Sequence, residues 1–404
     1  MQKLLNRPQA VFLGLASMLG AGVFVVFGPA AKSAGSLLPL AVILAGLVAY
    51  LNAASVAQLA KIVPGSGGAY AYGRYYISET AGFLAGAAFL LGKMGSVAAI
   101  ALTVANYLTP DSTILTAVSA IVIMTIVNIL GINRTAFGAM VLVSITLSFL
   151  ALLVFSSFSI PSASQQIAPG EPFGVLSSAA FLFFAFAGYA RIATLGGEVS
   201  NPAKTIPFAI ALSLGLVFVI YLALALTAGR VLGASLSLTL TPIADLAAIS
   251  LPWLPSQVVA TVASIAALGS LLALLAGMGR TAATMADDHE LPRALGLRNR
   301  PGAPWVSELL IAVIAIALVS VFQVGSNIGI SSFAVLFYYA IANLAALRQP
   351  KSQTKRPKVL NLLGFGLCIA LALSVPVESL ITGITGLGLV LILRSLLARF
   401  SQSR

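Results

Sequence analysis

Acidic residues, histidine and cysteine are all scarce in this chain of 404 residues. Asp and Glu together number 10, and charged residues of both signs make up 8% of the sequence. So small a charged fraction, beside 59% hydrophobic residues and a mean hydropathy of +1.05, excludes an ordinary soluble globular domain. The one cysteine, Cys368, has no partner in the chain, which excludes an intrachain disulfide.

Catalytic and metal-binding motifs are also missing. His289 is the single histidine, and the sequence contains no H-E-x-x-H, no G-x-S-x-G and no pair of carboxylates inside an apolar run. We therefore expect neither enzymatic activity nor a cofactor. The acidic stretch "DDHE" that includes His289 lacks the spacing of a metal site, so it is interpreted as a solvated loop.

Long apolar runs fill the chain instead. A helix needs about 20 apolar residues to cross a hydrocarbon core of about 30 Å, whereas the strands of a membrane barrel would be about ten residues of strict alternation. The sequence predicts an all-α membrane protein with 12 transmembrane helices and no soluble domain. The predicted spans are 8–32, 37–60, 80–108, 113–131, 137–159, 175–196, 207–229, 256–286, 306–322, 327–347, 359–376 and 379–398.

The positions of the basic residues explain the net charge of +12 better than a nucleic-acid partner does. With a cytoplasmic N-terminus, eighteen of the 22 Lys and Arg residues fall on the cytoplasmic side, which predicts that both termini are cytoplasmic. The first run has no cleavage site and is interpreted as a retained helix. We expect a multi-pass protein of a bacterial inner membrane, in contact with lipid and of undetermined oligomeric state. The cluster "RQPKSQTKRPK" at 348–358 is interpreted as a topology signal, with a specific lipid site as the alternative.

Two of the predicted helices are interrupted in mid-membrane. "SMLGAGVF" places a Gly-Ala-Gly sequence in the first run, and "FLFFAFAGYARIATLGGEVSNP" places Gly188 and Arg191 in the sixth. Non-helical backbone at this depth is tolerated only where protein covers it or where it lines a cavity. Free N–H groups at such a break suit a carboxylate, and free C=O groups suit an ammonium, so together they match an α-amino acid. A seam of small residues between closely packed helices is the alternative.

The distance between the two interruptions predicts an inverted repeat. They are five helices apart, and an odd number of helices makes the second unit enter the membrane from the opposite side. We therefore expect a single transmembrane domain, 1–404, made of a first repeat at 8–160, a second at 175–347 and two added helices at 359–398. The loop 230–255 is long and moderately apolar, which predicts a short helix over the outer face.

Four motifs, in the same order, resemble those of the amino acid–polyamine–organocation transporters: "LASMLGAGVF", "PGSGGAYAY", "FFAFAGYARIATLGGEVSNPAKTIPFAI" and "GRTAATMADDHELPRAL". The resemblance covers nearly the whole chain. It implies a LeuT-type fold of ten core helices plus two, with helices 1 and 6 broken, and alternating access to an amino acid held between them.

The resemblance also assigns residues to the substrate. It implies that the carboxylate is faced by Ser17, Gly20, Ala21 and Gly22. It implies that the amine and side chain lie in a pocket lined by Phe184, Ala185, Phe186, Ala187 and Gly188. Phe186 would be an aromatic gate, and an ordinary core aromatic is the alternative.

The residues that couple transport to an ion are less clear. Relatives hold sodium with hydroxyls of the eighth helix, where Ser264 and Ser270 form no adjacent pair, and the fifth helix lacks the lysine of some sodium-independent relatives. Lys93 lies inside the third helix instead, and burial disfavours a charged amine. Lys93 is interpreted as a proton carrier or cation surrogate, with direct substrate contact or a structural bond to broken-helix carbonyls as alternatives.

Other charged residues flank the predicted site. Arg191 stays protonated and is interpreted as a gate or an anchor to carbonyls. Glu198, with Arg74, Glu79 and Arg280, could close the inner mouth through ion pairs, or could be ordinary helix-end charges.

These features predict a secondary active transporter of neutral or hydrophobic amino acids, because the predicted lining has no acidic residue to pair with a cationic side chain. Sodium-independent transport, driven by protons or by exchange, is expected. A substrate sensor or a channel on the same scaffold is the alternative, although no ring of charges or filter repeat indicates a pore.

Overall fold

The computed structural model describes residues 6–63, 67–130, 136–170, 172–189, 192, 199, 201–300, 302–354 and 356–402. Helices dominate this part of the chain, and an isolated bridge pairs Gly35 with Pro169. The α-helices are α1 (Arg7–Met18), α2 (Ala21–Val25), α3 (Phe27–Ala34), α4 (Leu38–Ala60), α5 (Ala69–Tyr76), α6 (Glu79–Leu108), α7 (Thr113–Ile129), α8 (Ala136–Ser157), α9 (Pro172–Phe186), α10 (Pro202–Leu232), α11 (Pro242–Ser250), α12 (Ser256–Asp287), α13 (Trp305–Val321), α14 (Val324–Arg348), α15 (Lys358–Leu373) and α16 (Val377–Gln402). Single turns of 3-10 helix are Pro110–Ser112, Ala187–Tyr189, Gly233–Ser237 and Arg293–Gly296.

The helices coincide with the predicted spans. Within the described ranges, nine helical stretches are long and apolar enough to cross a membrane, and they match the first to fifth, seventh, eighth, tenth and twelfth predicted spans. The sixth, ninth and eleventh correspond to the shorter apolar helices Phe173–Tyr189, Trp305–Val321 and Lys358–Leu373. The all-α class of an integral multi-pass membrane protein is confirmed. The short helix predicted within 230–255 is present as α11, after the turn Gly233–Ser237.

Local sequence explains where the helices begin. Asn6 Oδ1 accepts a hydrogen bond from Gln9 N, and Gln9 Oε1 accepts one from Asn6 N, which forms a capping box at the start of α1. Ser78 caps α6 in the same way by accepting from Ala81 N. Gly68 precedes α5 with φ of 53°, a conformation that glycine adopts without steric cost, and the short helix α5 begins at the next residue.

The centre of the bundle is the contact between α6 and α14, both mostly buried. Small residues allow this approach: a methyl group on Gly92 would lie 2.8 Å from Val335 Cγ2, and one on Gly95 would lie 2.9 Å from Asn327 O. The hydroxyls of Ser96 and Ser331 join the two helices at 2.7 Å. The interrupted segments pack beside this pair, whereas α16 lies mostly at the lipid-facing surface.

Candidate substrate site

The first transmembrane segment is two half-helices, as the Gly-Ala-Gly sequence predicts. The last bond of α1 runs from Leu19 N to Leu15 O at 2.7 Å, and Gly20, with ψ of −139°, then leaves the helical path. Helical bonding resumes in α2 and continues into α3 through Val26, whose N–H donates to Gly22 O at 3.1 Å. The segment therefore presents a free C-terminal carbonyl end and a free N-terminal amide end near its middle.

The sixth segment also loses its α-helical path near the predicted position. α9 ends at Phe186, and Ala187–Tyr189 continues as a turn of 3-10 helix. Gly188 therefore lies in the non-α-helical turn. The predictions for Arg191 and Glu198 fall outside the described residues and stay predictions.

The two segments cross in close contact. A methyl group on Gly22 would lie 2.8 Å from Ala185 Cα, and one on Gly188 would lie 2.8 Å from Met18 N and closer still to the Ser17 carbonyl. Real Cβ atoms do not approach backbone this closely, so both positions require glycine. The small-residue seam and the helix break are thus present together, although the sequence posed them as alternatives.

Tyr221 of α10 connects the free carbonyls of both segments. Its hydroxyl donates to Met18 O at 2.6 Å, and Ala185 O lies 3.3 Å from the same oxygen. A hydroxyl has one proton to donate, so the carbonyls of Met18 and Ala185 can together accept at least one more hydrogen bond from another donor. Its ring contacts Phe186 with centroids 4.9 Å apart.

The candidate site is closed in this conformation. Gly20, Ala21, Gly22, Ala185, Phe186 and Ala187 are buried, with Phe186 at 0% exposure, and Ser17, Phe184 and Gly188 are half-buried. Of the nine residues assigned to the substrate, the structure brings Gly22 against Ala185 and Gly188 against Ser17, and the grouping of the other five stays a prediction. The Phe186 ring packs against Tyr221, and this contact agrees with both roles considered for Phe186, an aromatic gate and an ordinary core aromatic.

The other side of the first break faces α12. A side chain on Gly20 would collide with Ser270 Oγ, and a cavity of about 30 Å³ lies beside Leu19 and Ser270, large enough for about one water molecule. The hydroxyls of Ser264 and Ser270 are buried and have no hydrogen-bond partner among the described residues. Thr146 of α8 borders the cavity but donates its proton to Leu142 O at 3.0 Å.

Lys93 follows Gly86 by seven residues and so lies on nearly the same face of α6, where Gly86 packs against Met285 of α12 and Tyr70 of α5. Tyr107, fourteen residues later and so about four turns further along, donates its hydroxyl proton to Phe24 O at 2.8 Å in the helix after the first break. Lys93 is half-buried, and its side-chain amine makes no hydrogen bond or ion pair with any described residue. An unpartnered amine on this face agrees with a functional position, and its role stays a prediction.

A buried network of amides and hydroxyls lies between α4, α14 and α15, and the sequence reasoning did not find it. Asn343 Nδ2 donates to Asn52 Oδ1 at 2.6 Å, and Ser55 Oγ lies 2.7 Å from Asn343 Oδ1 and 3.0 Å from Asn361 Oδ1. Tyr339 links this network to the candidate site because its ring lies 5.3 Å from that of Tyr189. The available signal was the presence of Asn inside apolar runs, where polar side chains need partners.

Charged residues cluster at the end of the bundle that the charge distribution assigns to the cytoplasm. Glu290 accepts from Arg74 at 3.1 Å and from Arg394 at 2.7 Å, and it is 8% exposed. The interpretation of "DDHE" as a solvated loop is therefore wrong for Glu290, because cations from α5 and α16 enclose it. The proposed Arg74–Glu79 pair is present but loose, at 3.8 Å with Glu79 mostly exposed.

Tyr70 extends this cluster. Its hydroxyl donates to Asp288 Oδ2 at 2.6 Å and accepts from Arg74 Nη1 at 2.8 Å. Burial, together with the bond to Asp288, raises the pKa of Tyr70 above its ordinary value, so the phenol keeps the proton that it donates. The cluster joins three parts of the chain, which are α5, α16 and the residues that follow α12.

Comparison with known proteins assigns this arrangement to a family. The family model described as amino acid permease matches residues 9–398. An uncharacterized transporter of Mycobacterium tuberculosis is 40% identical over 395 residues, which are 96% of this chain and 90% of the relative. Cationic amino acid transporter 5 of Arabidopsis thaliana is 26% identical over 397 residues, 90% of this chain and 68% of the relative. The methylthioribose transporter of Bacillus subtilis is 29% identical over 247 residues, 55% and 54% of the two chains.

The family model matches nearly the whole chain, and a relative is 40% identical over 96% of it, which together fix the family. The chain belongs to the amino acid permease family of membrane transporters, within the amino acid–polyamine–organocation superfamily.

Proposed function

We propose that this protein is a secondary active transporter that moves neutral or hydrophobic amino acids by alternating access. The observation that carries the proposal is the meeting of two interrupted segments at Gly22 and Gly188, with free backbone groups beside them. The proposed architecture is the LeuT-type fold of 12 helices, with inverted repeats at 8–160 and 175–347 and two further helices at 359–398. Both termini are proposed to lie in the cytoplasm of a bacterial cell.

The free backbone groups suit the two charged ends of an amino acid. No side chain caps α2, so the first amides of Ala21–Val25 can donate to a carboxylate at the positive end of the helical stretch that continues through α3. The carbonyls of Met18 and Ala185 share one Tyr221 proton and can accept from an ammonium. Ser17, Phe184 and Phe186 would complete the pocket around the amine and side chain.

The proposed preference for neutral side chains follows from the residues around the break. Alanine, glycine and phenylalanine dominate both interruptions, and no Asp or Glu lies in the middle of any predicted span. A cationic side chain would have to be bound without a carboxylate, which is costly away from water. The printed name of the Arabidopsis relative makes cationic amino acids the second candidate.

The proposed coupling does not use sodium. Ser264 and Ser270 are six residues apart in the sequence, and the cavity beside Ser270 has room for about one water molecule. Lys93 is proposed to carry a proton or to stand in for a cation, since it is a half-buried amine with no partner among the described residues. Proton coupling and exchange are the two modes that agree with this placement.

Counterflow in sodium-free proteoliposomes tests the proposal. Vesicles loaded with an unlabelled neutral amino acid such as leucine should accumulate external labelled leucine transiently, because a carrier exchanges substrate across the membrane. Loading with arginine instead should give little accumulation. Binding without counterflow would indicate a sensor, ion current without exchange would indicate a channel, and either result would overturn the proposal.

A further inference from the structure

A groove of about 630 Å³ lies apart from the candidate site, between α4, α10 and the residues 351–354 and Arg356. Its volume is in the range of pockets that hold small-molecule ligands. The walls are apolar where the helices form them, with Ala53 and Ala57 on α4 facing Ile210 and Leu214 on α10. An apolar groove of this size needs an occupant that covers it.

The groove also carries three cations. Lys61, Lys351 and Arg356 line it, and none of the lining residues is acidic. No ion pair joins these three cations to a carboxylate in the described part of the chain. Burial lowers the pKa of the Arg356 guanidinium, and its contacts to Ser55 Oγ and Leu51 O are long, at 3.3–3.5 Å.

The dimensions of the groove match one leaflet of a membrane. Tyr50 and Lys61 mark the two ends of the groove on α4, about 16 Å apart or about half of a 30 Å hydrocarbon core, and Arg356 lies near the Tyr50 end, where it contacts Leu51 O. Beyond Tyr50, the apolar side chains of Leu47 on α4 and Leu216 on α10 are exposed at 48% and 43%, so the apolar surface continues toward the middle of the bilayer.

We propose that this groove binds one anionic phospholipid of the cytoplasmic leaflet. The anionic headgroup lies along the part of the groove that Lys61, Lys351 and Arg356 line, and an acyl chain runs along the alanine-rich wall past Tyr50. A soluble phosphate compound would leave the apolar wall uncovered, and a zwitterionic lipid would leave the three cations uncompensated. The occupant thus has both a negative headgroup and a hydrocarbon chain.

The site has a structural connection to the interior. Arg356 contacts Ser55, which belongs to the network of Asn52, Asn343 and Asn361 behind the candidate substrate site. A phosphate that draws the guanidinium toward the groove would change the hydrogen bonding of Ser55. The side chains of Lys61 and Lys351 make no hydrogen bond or ion pair with the described residues, so their substitution leaves this network intact.

The test is thermal unfolding of the delipidated protein in detergent, titrated with phosphatidylglycerol, phosphatidylcholine or glycerol phosphate. Phosphatidylglycerol should raise the midpoint of unfolding, and the other two should leave it nearly unchanged. Lys61→Gln and Lys351→Gln should each weaken the apparent affinity for phosphatidylglycerol about fivefold, as expected for one cation near an anionic headgroup. Arg356→Gln should weaken it at least as much.

Two further variants distinguish lipid binding in this groove from a general attraction of anionic lipid to a basic loop. Lys358→Gln removes a charge from the same basic cluster but outside the groove, so its affinity should match that of the unsubstituted protein. Ala211→Trp fills the groove from an exposed position and should abolish the stabilisation without unfolding the protein. Equal loss in Lys358→Gln, equal stabilisation by phosphatidylcholine, or stabilisation by glycerol phosphate would overturn the proposal.

Discussion

The contact between Gly22 and Ala185 is so close that Gly22→Ala should slow transport. The methyl group of Gly22→Ala would lie 2.8 Å from Ala185 Cα, about 0.6 Å inside ordinary contact, which begins at 3.4 Å. Alanine gains about 1 kcal/mol over glycine in a helix, whereas overpacking costs about 1–3 kcal/mol. Since the contacted atom is backbone, we expect overpacking to exceed the gain and to move the two interrupted segments apart.

The expected result is a fall of about tenfold in the initial rate of labelled leucine uptake into proteoliposomes, the equivalent of 1.4 kcal/mol. Gly215→Ala is the matched control, because Gly215 also lies in a transmembrane helix and no atom lies within 4 Å of the added methyl group. It should keep its uptake rate and unfold at an equal or higher temperature. If Gly22→Ala transports as fast as Gly215→Ala, close contact between Gly22 and Ala185 is not needed for transport.

Three further substitutions test other parts of the account. Tyr221→Phe removes the donor to two buried carbonyls, so it should destabilise the protein by about 1–3 kcal/mol and slow uptake, while Tyr75→Phe, at an exposed position, should do neither. Glu290→Gln removes the buried carboxylate that Arg74 and Arg394 share and should lower the thermal midpoint measured in detergent, whereas Glu79→Gln should not. Lys93→Ala should retain substrate binding but lose the dependence of uptake on pH, and sodium-dependent binding would contradict the proposed coupling. Unchanged unfolding of Tyr221→Phe or Glu290→Gln would show that these bonds contribute little.

The sequence predicted the helices well because the membrane imposes a length on them. Predicted and observed ends differ by a few residues in most spans, for example 80–108 against Glu79–Leu108. The first interruption was also predictable, since a Gly-Ala-Gly sequence in mid-membrane is costly unless the chain needs it.

The contacts between helices were not predictable, because one sequence does not state which faces meet. The approach of Gly188 to Ser17, the shared carbonyl contact of Tyr221 and the burial of Glu290 all depend on residues far apart in the chain. Glu290 was taken for a solvated charge because its partner Arg394 is about a hundred residues away. The polar network around Asn343 was missed for the same reason.

The central claim, that the amino acid binds where the two interrupted segments meet, is tested most directly by substrate protection of a cysteine placed there. Replacing Cys368 with serine removes the single native thiol, and Ser17→Cys then puts a reactive group on the residue whose backbone carbonyl contacts Gly188. A saturating concentration of the transported amino acid should slow the reaction of this cysteine with a small maleimide, while a cysteine at the exposed position Ser112 should react at an unchanged rate. Reaction of the Ser17→Cys thiol at the same rate with and without saturating substrate would contradict the claim.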